Sequence, residues 1–339
     1  MTASSFIRRF DFTPLDIALH TPFGISGGAQ AMANNVLVTL ELNGGFIGYG
    51  EAAPLPPYNG ETQAQAMTVL AAAQAWLVGK PADDWRALAT EFRTRGGAAC
   101  GSAQCAFEMA LLDAVNRRDG VPMWKYFGGA GTALETDMTV TTGSPEQAAT
   151  DARAIRDRRI RMIKVKVGGP KGPGYDLARL VAIHGVAPDS PLILDGNAGV
   201  SRADATALVQ GLRKLGIKPA LLEQWLPKDD LAGMKALGEE SGWPVAADES
   251  VCSGADAQKI ADAKAAQFLN IKLMKAGLSV AMDIAAVAKR TGLGLMIGGN
   301  VESLLAMTTS ACFAAGQGGF TFADLDTPLF MATNPFDGG

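Results

Sequence analysis

Histidine is nearly missing from this chain, with only His20 and His184 among 339 residues. Imidazole ligand sets and a histidine base therefore have little material to draw on. Proton transfer falls instead to lysine, aspartate or glutamate. The four cysteines (Cys100, Cys105, Cys252, Cys312) show no C-x-x-C spacing, which argues against a zinc knuckle or a redox pair. They are expected to be buried apolar thiols in a reducing compartment. No apolar run approaches the ~20 residues of a membrane span, and the opening MTASSFIRRFDF lacks the apolar core of a secretory signal. Thirty basic against thirty-four acidic side chains give a net charge of −4 with no Lys/Arg-rich block, which argues against a nucleic-acid surface. What remains is an ordinary globular balance, 48% hydrophobic and 19% charged. The length suits about two domains and a core without metal or disulfide staples. The expectation is a soluble, cytoplasmic protein of two domains.

Two textures divide the chain. Val36–Leu42 (VLVTLEL), a Gly44-Gly45 turn and FIGYGEA read as a β-hairpin. From Glu61 to Asn116 apolar residues recur at helical spacing in alanine-rich runs such as MTVLAAAQAWL and CAFEMALLDAV. Glycine and proline at 120–122 and 128–129 then mark a boundary after an α+β unit. Beyond it, eight short β-rich runs each precede an alanine-rich helical stretch, at 135–143, 162–168, 192–197, 220–225, 245–250, 268–273, 293–299 and 320–326. Their polar residues Lys166, Asp195, Glu223, Asp248 and Lys272 recur every 24 to 29 residues. Repeated strand–helix units of that length build a parallel (β/α) barrel, and their near-equal size favours closure over an open doubly wound sheet.

Charge sits at the ends of otherwise apolar strands. Lys164 and Lys166 alternate with valine in IKVKV, so strand geometry aims both to one face. Asp195 ends LILD, Glu223 ends ALLE, Asp248 ends VAAD and Lys272 ends FLNIK. Buried charges at strand ends need partners. Three acids on consecutive strands, at the face where barrel active sites form, can share a divalent cation, and an all-carboxylate set favours one Mg²⁺ per subunit. Lys166 and Lys272 fall on opposite walls, offering an amine to each side of a substrate between them. A nearby cation and desolvation favour the neutral, basic form of such a lysine. The arrangement suits removal of a proton next to a carboxylate, with the metal and Lys164 at the developing negative oxygens.

The motifs IKVKV, LDGN, LLEQ, ADES and NIKLMKAG resemble those of the enolase superfamily in its muconate-lactonizing subgroup, nearly end to end. The resemblance implies an enolase-type barrel (129–326) with an N-terminal α+β capping domain (1–128) and a tail (327–339) returning to it. Within the subgroup, Asp324 and Asp326 of ADLDTPLF resemble the paired acids by which dipeptide epimerases hold a substrate ammonium. By the same resemblance Thr139, Lys164, Gly299 and Asn300 would contact a dipeptide, while Asn197 and Glu249 would support the site. The implied activity is Mg²⁺-dependent inversion of the second residue of an L-Ala-L-Xaa dipeptide, with Lys166 and Lys272 as bases. The expected partners are this small substrate and further copies of the chain, not nucleic acid or membrane.

Glutamate-specific members resemble one another in an arginine within the loop equivalent to Thr21–Asn35, and this loop has no charged residue. An uncharged second residue is expected accordingly. N-acylamino-acid racemase, o-succinylbenzoate synthase and muconate cycloisomerase share the lysines and acids without needing the paired aspartates. A non-catalytic barrel is a further alternative, although no base or ligand is missing. Gly24–Gly28 fits G-x-S-x-G, but the flanks and the histidine shortage do not support a nucleophile elbow. The glycines of GGPKGPG (168–174) lack a G-K-[ST] ending.

Overall fold

The computed structural model describes residues 5–25 and 28–337. Its N-terminal part pairs β1 (Ile7–Ile25), β2 (Gly28–Leu42) and β3 (Ile47–Ala52) in one antiparallel sheet, in that order. Val36, Val38, Leu40 and Leu42 of β2 are buried at every second position, which sets the register. The long helix Gly101–Asp119 packs on this sheet. It approaches β3 so closely that a Cβ at Gly48 or Gly50 would fall onto the helix carbonyls of Ala110 and Ala106. The Glu61 carboxylate accepts hydrogen bonds from the N–H groups of Gly101 and Ser102, capping the positive end of that helix.

The second part is an eight-stranded parallel sheet in sequence order: β4 (Met138–Val140), β5 (Ile163–Lys166), β6 (Leu192–Asp195), β7 (Leu221–Glu223), β8 (Val245–Ala247), β9 (Phe268–Lys272), β10 (Gly294–Gly298) and β11 (Phe320–Ala323). Each expected β-rich run contains one of these strands. The sheet curls until its ends meet, where the Asp137 N–H donates to the Ala323 carbonyl at 2.8 Å. Inside, Ile193, Leu221, Ala246, Met296 and Phe322 form one apolar cluster, and the rings of Phe268 and Phe322 meet edge-on at 5.0 Å. Serine or aspartate N-caps start five of the surrounding helices, Ser144, Ser201, Asp230, Ser253 and Ser303 each accepting from a first-turn N–H. This is a parallel α/β barrel with an antiparallel cap, as expected.

The cap and barrel are joined by buried polar contacts. Asn35 donates to Glu51 at 2.6 Å and to the Val301 carbonyl at 3.0 Å, while Ser303 donates to Glu51. Near the C-terminus, Met331 bridges Leu19 and the Ala332 N–H donates to the Ala18 carbonyl at 2.8 Å.

Two expectations need correction. Thr21–Asn35, read as a loop, is mostly the far end of the β1–β2 ribbon, with Phe23 opposite Gln30, Gly24 opposite Ala29 and Ile25 opposite Gly28. A register shift between Ala18 and Phe23 lets pairing resume beyond the curved middle. Ser26 and Gly27, and with them the serine of G-x-S-x-G, lie outside the described residues, as do Met1–Ala3, Ser4 and the last two glycines of the tail. The cysteines are not uniformly buried. Cys100 and Cys105 are, Cys312 is half-buried and Cys252 is exposed, because it follows β8 in a surface connection.

Candidate active site

Strand register builds the site. Lys166 lies opposite Asp195, Asp195 opposite Glu223, and Lys272 opposite Gly298, so these residues share the C-terminal rim of the barrel. All are buried. Lys164 Nζ stands 3.0 Å from Asp195 Oδ2, 2.8 Å from Glu223 Oε2 and 2.6 Å from Asp324 Oδ2. Lys166 Nζ is 2.6 Å from Asp195 Oδ2, and Lys272 Nζ is 2.8 Å from Asp248 Oδ2. The two candidate bases thus occupy β5 and β9, four strands apart in an eight-stranded barrel. A Cβ at Gly298 would lie 2.8 Å from Asn270 Oδ1 and 3.2 Å from Lys272 Cε, so glycine there leaves room for the lysine.

Burial disfavours the ionised form of every acid here, and the outcome depends on how many cations each meets. Lys164, Lys166 and Lys272 outweigh burial at Asp195 and hold its carboxyl below the ordinary range. Lys272 and Lys275 do the same for Asp248. Burial and the Asp195 charge push Glu223 up to about 7 despite Lys164. Burial, with Asp248 and Asp195 beside it, raises Glu249 to about 8. The acids in turn hold Lys164 and Lys272 above the usual lysine range although burial opposes their charge.

Three carboxylates from neighbouring strand ends form an all-oxygen donor set. Glu223 Oε2 and Asp248 Oδ2 are buried and accept no well-directed hydrogen bond, although each lies 2.8 Å from a lysine nitrogen. These leftover lone pairs in an all-oxygen set fit a hard divalent cation such as Mg²⁺. The tightest acid group among the described residues is a different one: oxygens of Asp137, Asp324 and Asp326 lie within 4.8 Å of one another. Asp324 is tied to Lys164, and Asp326 Oδ2 accepts the Thr139 N–H at 2.6 Å. Burial and the Asp324 charge push Asp326 up to about 7.

The structure brings the expected support together. Asn197 donates to Asp195 through its backbone at 2.9 Å and lies 3.4 Å from Glu249 Oε1. The Asn300 side chain donates to the Ala53 carbonyl of the cap at 2.9 Å, and a Cβ on Gly299 would meet Met307 and Glu302. Sequence reading missed four residues. Asn270 donates to Glu223 at 2.8 Å, and its place two residues before Lys272 on one strand would have betrayed it. Lys275, within NIKLMKAG, donates to Asp248 Oδ1 at 3.0 Å. Asp137 precedes Thr139 by the same strand period. Tyr58 left no local signal, since only packing brings it to Lys272.

The first part of the chain (residues 11–128) matches the mandelate racemase/muconate lactonizing enzyme N-terminal domain, and residues 147–337 match the enolase C-terminal domain-like family. This chain belongs to the mandelate racemase/muconate lactonizing group of the enolase superfamily. It is 48% identical to the aromatic dipeptide epimerase of Herpetosiphon aurantiacus, over 98% of this chain and 93% of that one. The solved mandelate racemase/muconate lactonizing protein from the same organism superposes with a TM-score of 0.95 at 47% identity, covering 98% of this chain and 93% of that one. The dipeptide epimerase of Enterococcus faecalis V583, solved with Mg and L-Leu-L-Tyr, gives 0.93 at 28% identity, covering 98% and 94%. In this member of the group a small cavity lies between the cap and the strand-end lysines. Phe23, Leu55 and Tyr58 of the cap face Lys166, Lys272 and Asp324 of the barrel across it.

Proposed function

We propose that this protein is a Mg²⁺-dependent dipeptide epimerase that inverts the α-carbon of the C-terminal residue of L-Ala-L-Xaa dipeptides, with a hydrophobic or aromatic Xaa preferred. The observation that carries this reading is the pair Lys166 and Lys272, set on opposite barrel walls and facing one cavity. On this reading residues 1–128 form the cap, 129–326 the barrel and 327–339 the returning tail.

Asp195, Glu223 and Asp248 would hold the Mg²⁺. When bound, the ion supplies positive charge that loosens the acids' grip on the lysines and stabilises negative charge on the substrate carboxylate. One lysine, neutral, accepts the α-proton as the Cα–H bond breaks, and the bond's electrons pass to the carboxylate. The other lysine, as the ammonium, then delivers a proton to the opposite face of the same carbon. Lys164 contributes a third cation beside the developing charge. Asp324 and Asp326 receive the dipeptide ammonium, and Thr139 fixes Asp326 through its backbone N–H. Gly299 and Asn300 line the cavity where the barrel meets the cap. Phe23, Leu55 and Tyr58 form an apolar roof that excludes water and offers no cation to a second carboxylate.

The test is an L-Ala-L-Xaa library incubated with enzyme and Mg²⁺ in D₂O, with α-deuterium uptake read by mass spectrometry. Hydrophobic and aromatic Xaa should lead, with Ala-Glu behind. Absence of uptake from every dipeptide sinks the activity, and a lead for Ala-Glu sinks the side-chain preference.

A further inference from the structure

We propose that Arg179 is a positioning residue for Lys166, holding the backbone of that base so that its amine meets one face of the α-carbon. The inference rests on the reading of Lys166 as one of two bases. Arg179 lies on the helix Pro173–Val186 behind the site and is 2% exposed. The pairing of β4 with β5 ends at Val140 and Val165, which leaves the next carbonyls without partners in that ladder. Arg179 takes them up: Nη1 donates to the Lys166 carbonyl at 2.6 Å and Nη2 to the Thr141 carbonyl at 2.6 Å.

The guanidinium is itself anchored. Asp176 Oδ1 lies 3.3 Å from Nη1, and Asp176 Oδ2 accepts the Gly168 N–H at 2.7 Å. Gly168 has a φ of +80°, so the turn following Lys166 is pinned in a conformation that side chains disfavour. One planar fork thus spans two strand ends, a task that a single-point ammonium cannot do. At its other end Lys166 is held by Asp195, so backbone and amine are restrained independently. Lys272 is held differently, by Asp248 and by the ring of Tyr58. Loss of Arg179 should therefore disturb one face of the reaction and not the other.

The experiment compares the wild type with Lys166→Ala, Arg179→Met and Arg179→Lys, all loaded with Mg²⁺. Initial rates of α-proton exchange into D₂O are measured separately from the L,L and L,D epimers of one dipeptide. Lys166→Ala should abolish exchange from one epimer. Arg179→Met should slow exchange from that same epimer by ~10²-fold relative to the other, the scale expected of an ångström-sized misplacement. Its KM should stay near the wild-type value while kcat falls. Arg179→Lys, which keeps the charge but not the fork, should shift the ratio at least about tenfold in the same direction, and it decides the matter if Arg179→Met does not fold. Equal losses from both epimers, or an unchanged ratio in Arg179→Lys, overturn the proposal. Undiminished exchange from both epimers in Lys166→Ala would instead overturn the base assignment, and the proposal with it.

Discussion

Tyr58 of the cap sets its ring 4.5 Å from the Lys272 ammonium, while its hydroxyl lies 3.3 Å from Asp248 Oδ1. One side chain from the N-terminal part thus touches both a candidate base and a candidate metal ligand of the barrel. A cation over an aromatic face is worth ~0.5–2 kcal/mol, more when desolvated. Tyr58→Leu should therefore lower kcat/KM by roughly 2- to 30-fold. Tyr58→Phe, which keeps the ring, should stay close to the wild type. Equal losses in both variants would move the weight from the ring to the hydroxyl.

The metal assignment predicts loss of turnover without loss of fold. Asp248→Asn should reduce kcat by at least about 10²-fold, the scale of removing one electrostatic stabiliser, with an unchanged far-ultraviolet dichroism spectrum. Excess chelator should silence the wild type, and added Mg²⁺ should restore it. Full activity in chelator would refute the assignment.

Asp326 tests the substrate. Its free oxygen, Oδ1, is buried and accepts no hydrogen bond among the described residues, which leaves it available to an ammonium. Breaking one partner of a desolvated charge pair costs ~2–5 kcal/mol, or roughly 30- to 5,000-fold in binding. Asp326→Asn, or N-acetylation of the dipeptide, should depress kcat/KM on that scale while Mg²⁺ affinity stays near the wild-type value. An N-acylated amino acid turned over faster than the free dipeptide would favour the racemase reading.

Glu302 offers a pH test away from the metal ligands. Burial raises its carboxyl to about 8 and the nearby Glu51 adds to this, against a hydrogen bond from the Asn300 N–H. In the unfolded chain the group titrates near the ordinary 4.5. Between those values the folded state keeps a proton that the unfolded state has lost, so stability falls as pH rises through that window. Glu302→Gln imitates the protonated acid and has nothing to titrate. Its Tm advantage over the wild type should grow from pH 5 to pH 8 and level off above. A pH-independent difference would show that Glu302 does not carry the effect.

Much of the site was legible because strands impose short rules. In IKVKV an alternation of two is enough to put Lys164 and Lys166 on one face. The recurrence of Asp195, Glu223, Asp248 and Lys272 at strand ends reports the repeat of a strand–helix unit. Asn270 obeys the same alternation with Lys272 and was overlooked only because its side chain is uncharged. The run Thr21–Asn35 shows the opposite failing. Its glycines and small polar residues read as a loop, whereas pairing with the preceding strand makes it largely a ribbon.

The sequence by itself determined the barrel, the charged rim and the shortage of histidine, since each follows from local period or composition. Tertiary structure alone decided that Tyr58 meets Asp248 across 190 residues of sequence, and that Arg179 rather than sheet pairing closes the ends of β4 and β5. It also gathered Asp137 with Asp324 and Asp326. Such contacts carry no local signature, because they depend on how the closed sheet, its helices and the cap pack against one another. A residue's own neighbours in sequence do not encode that packing.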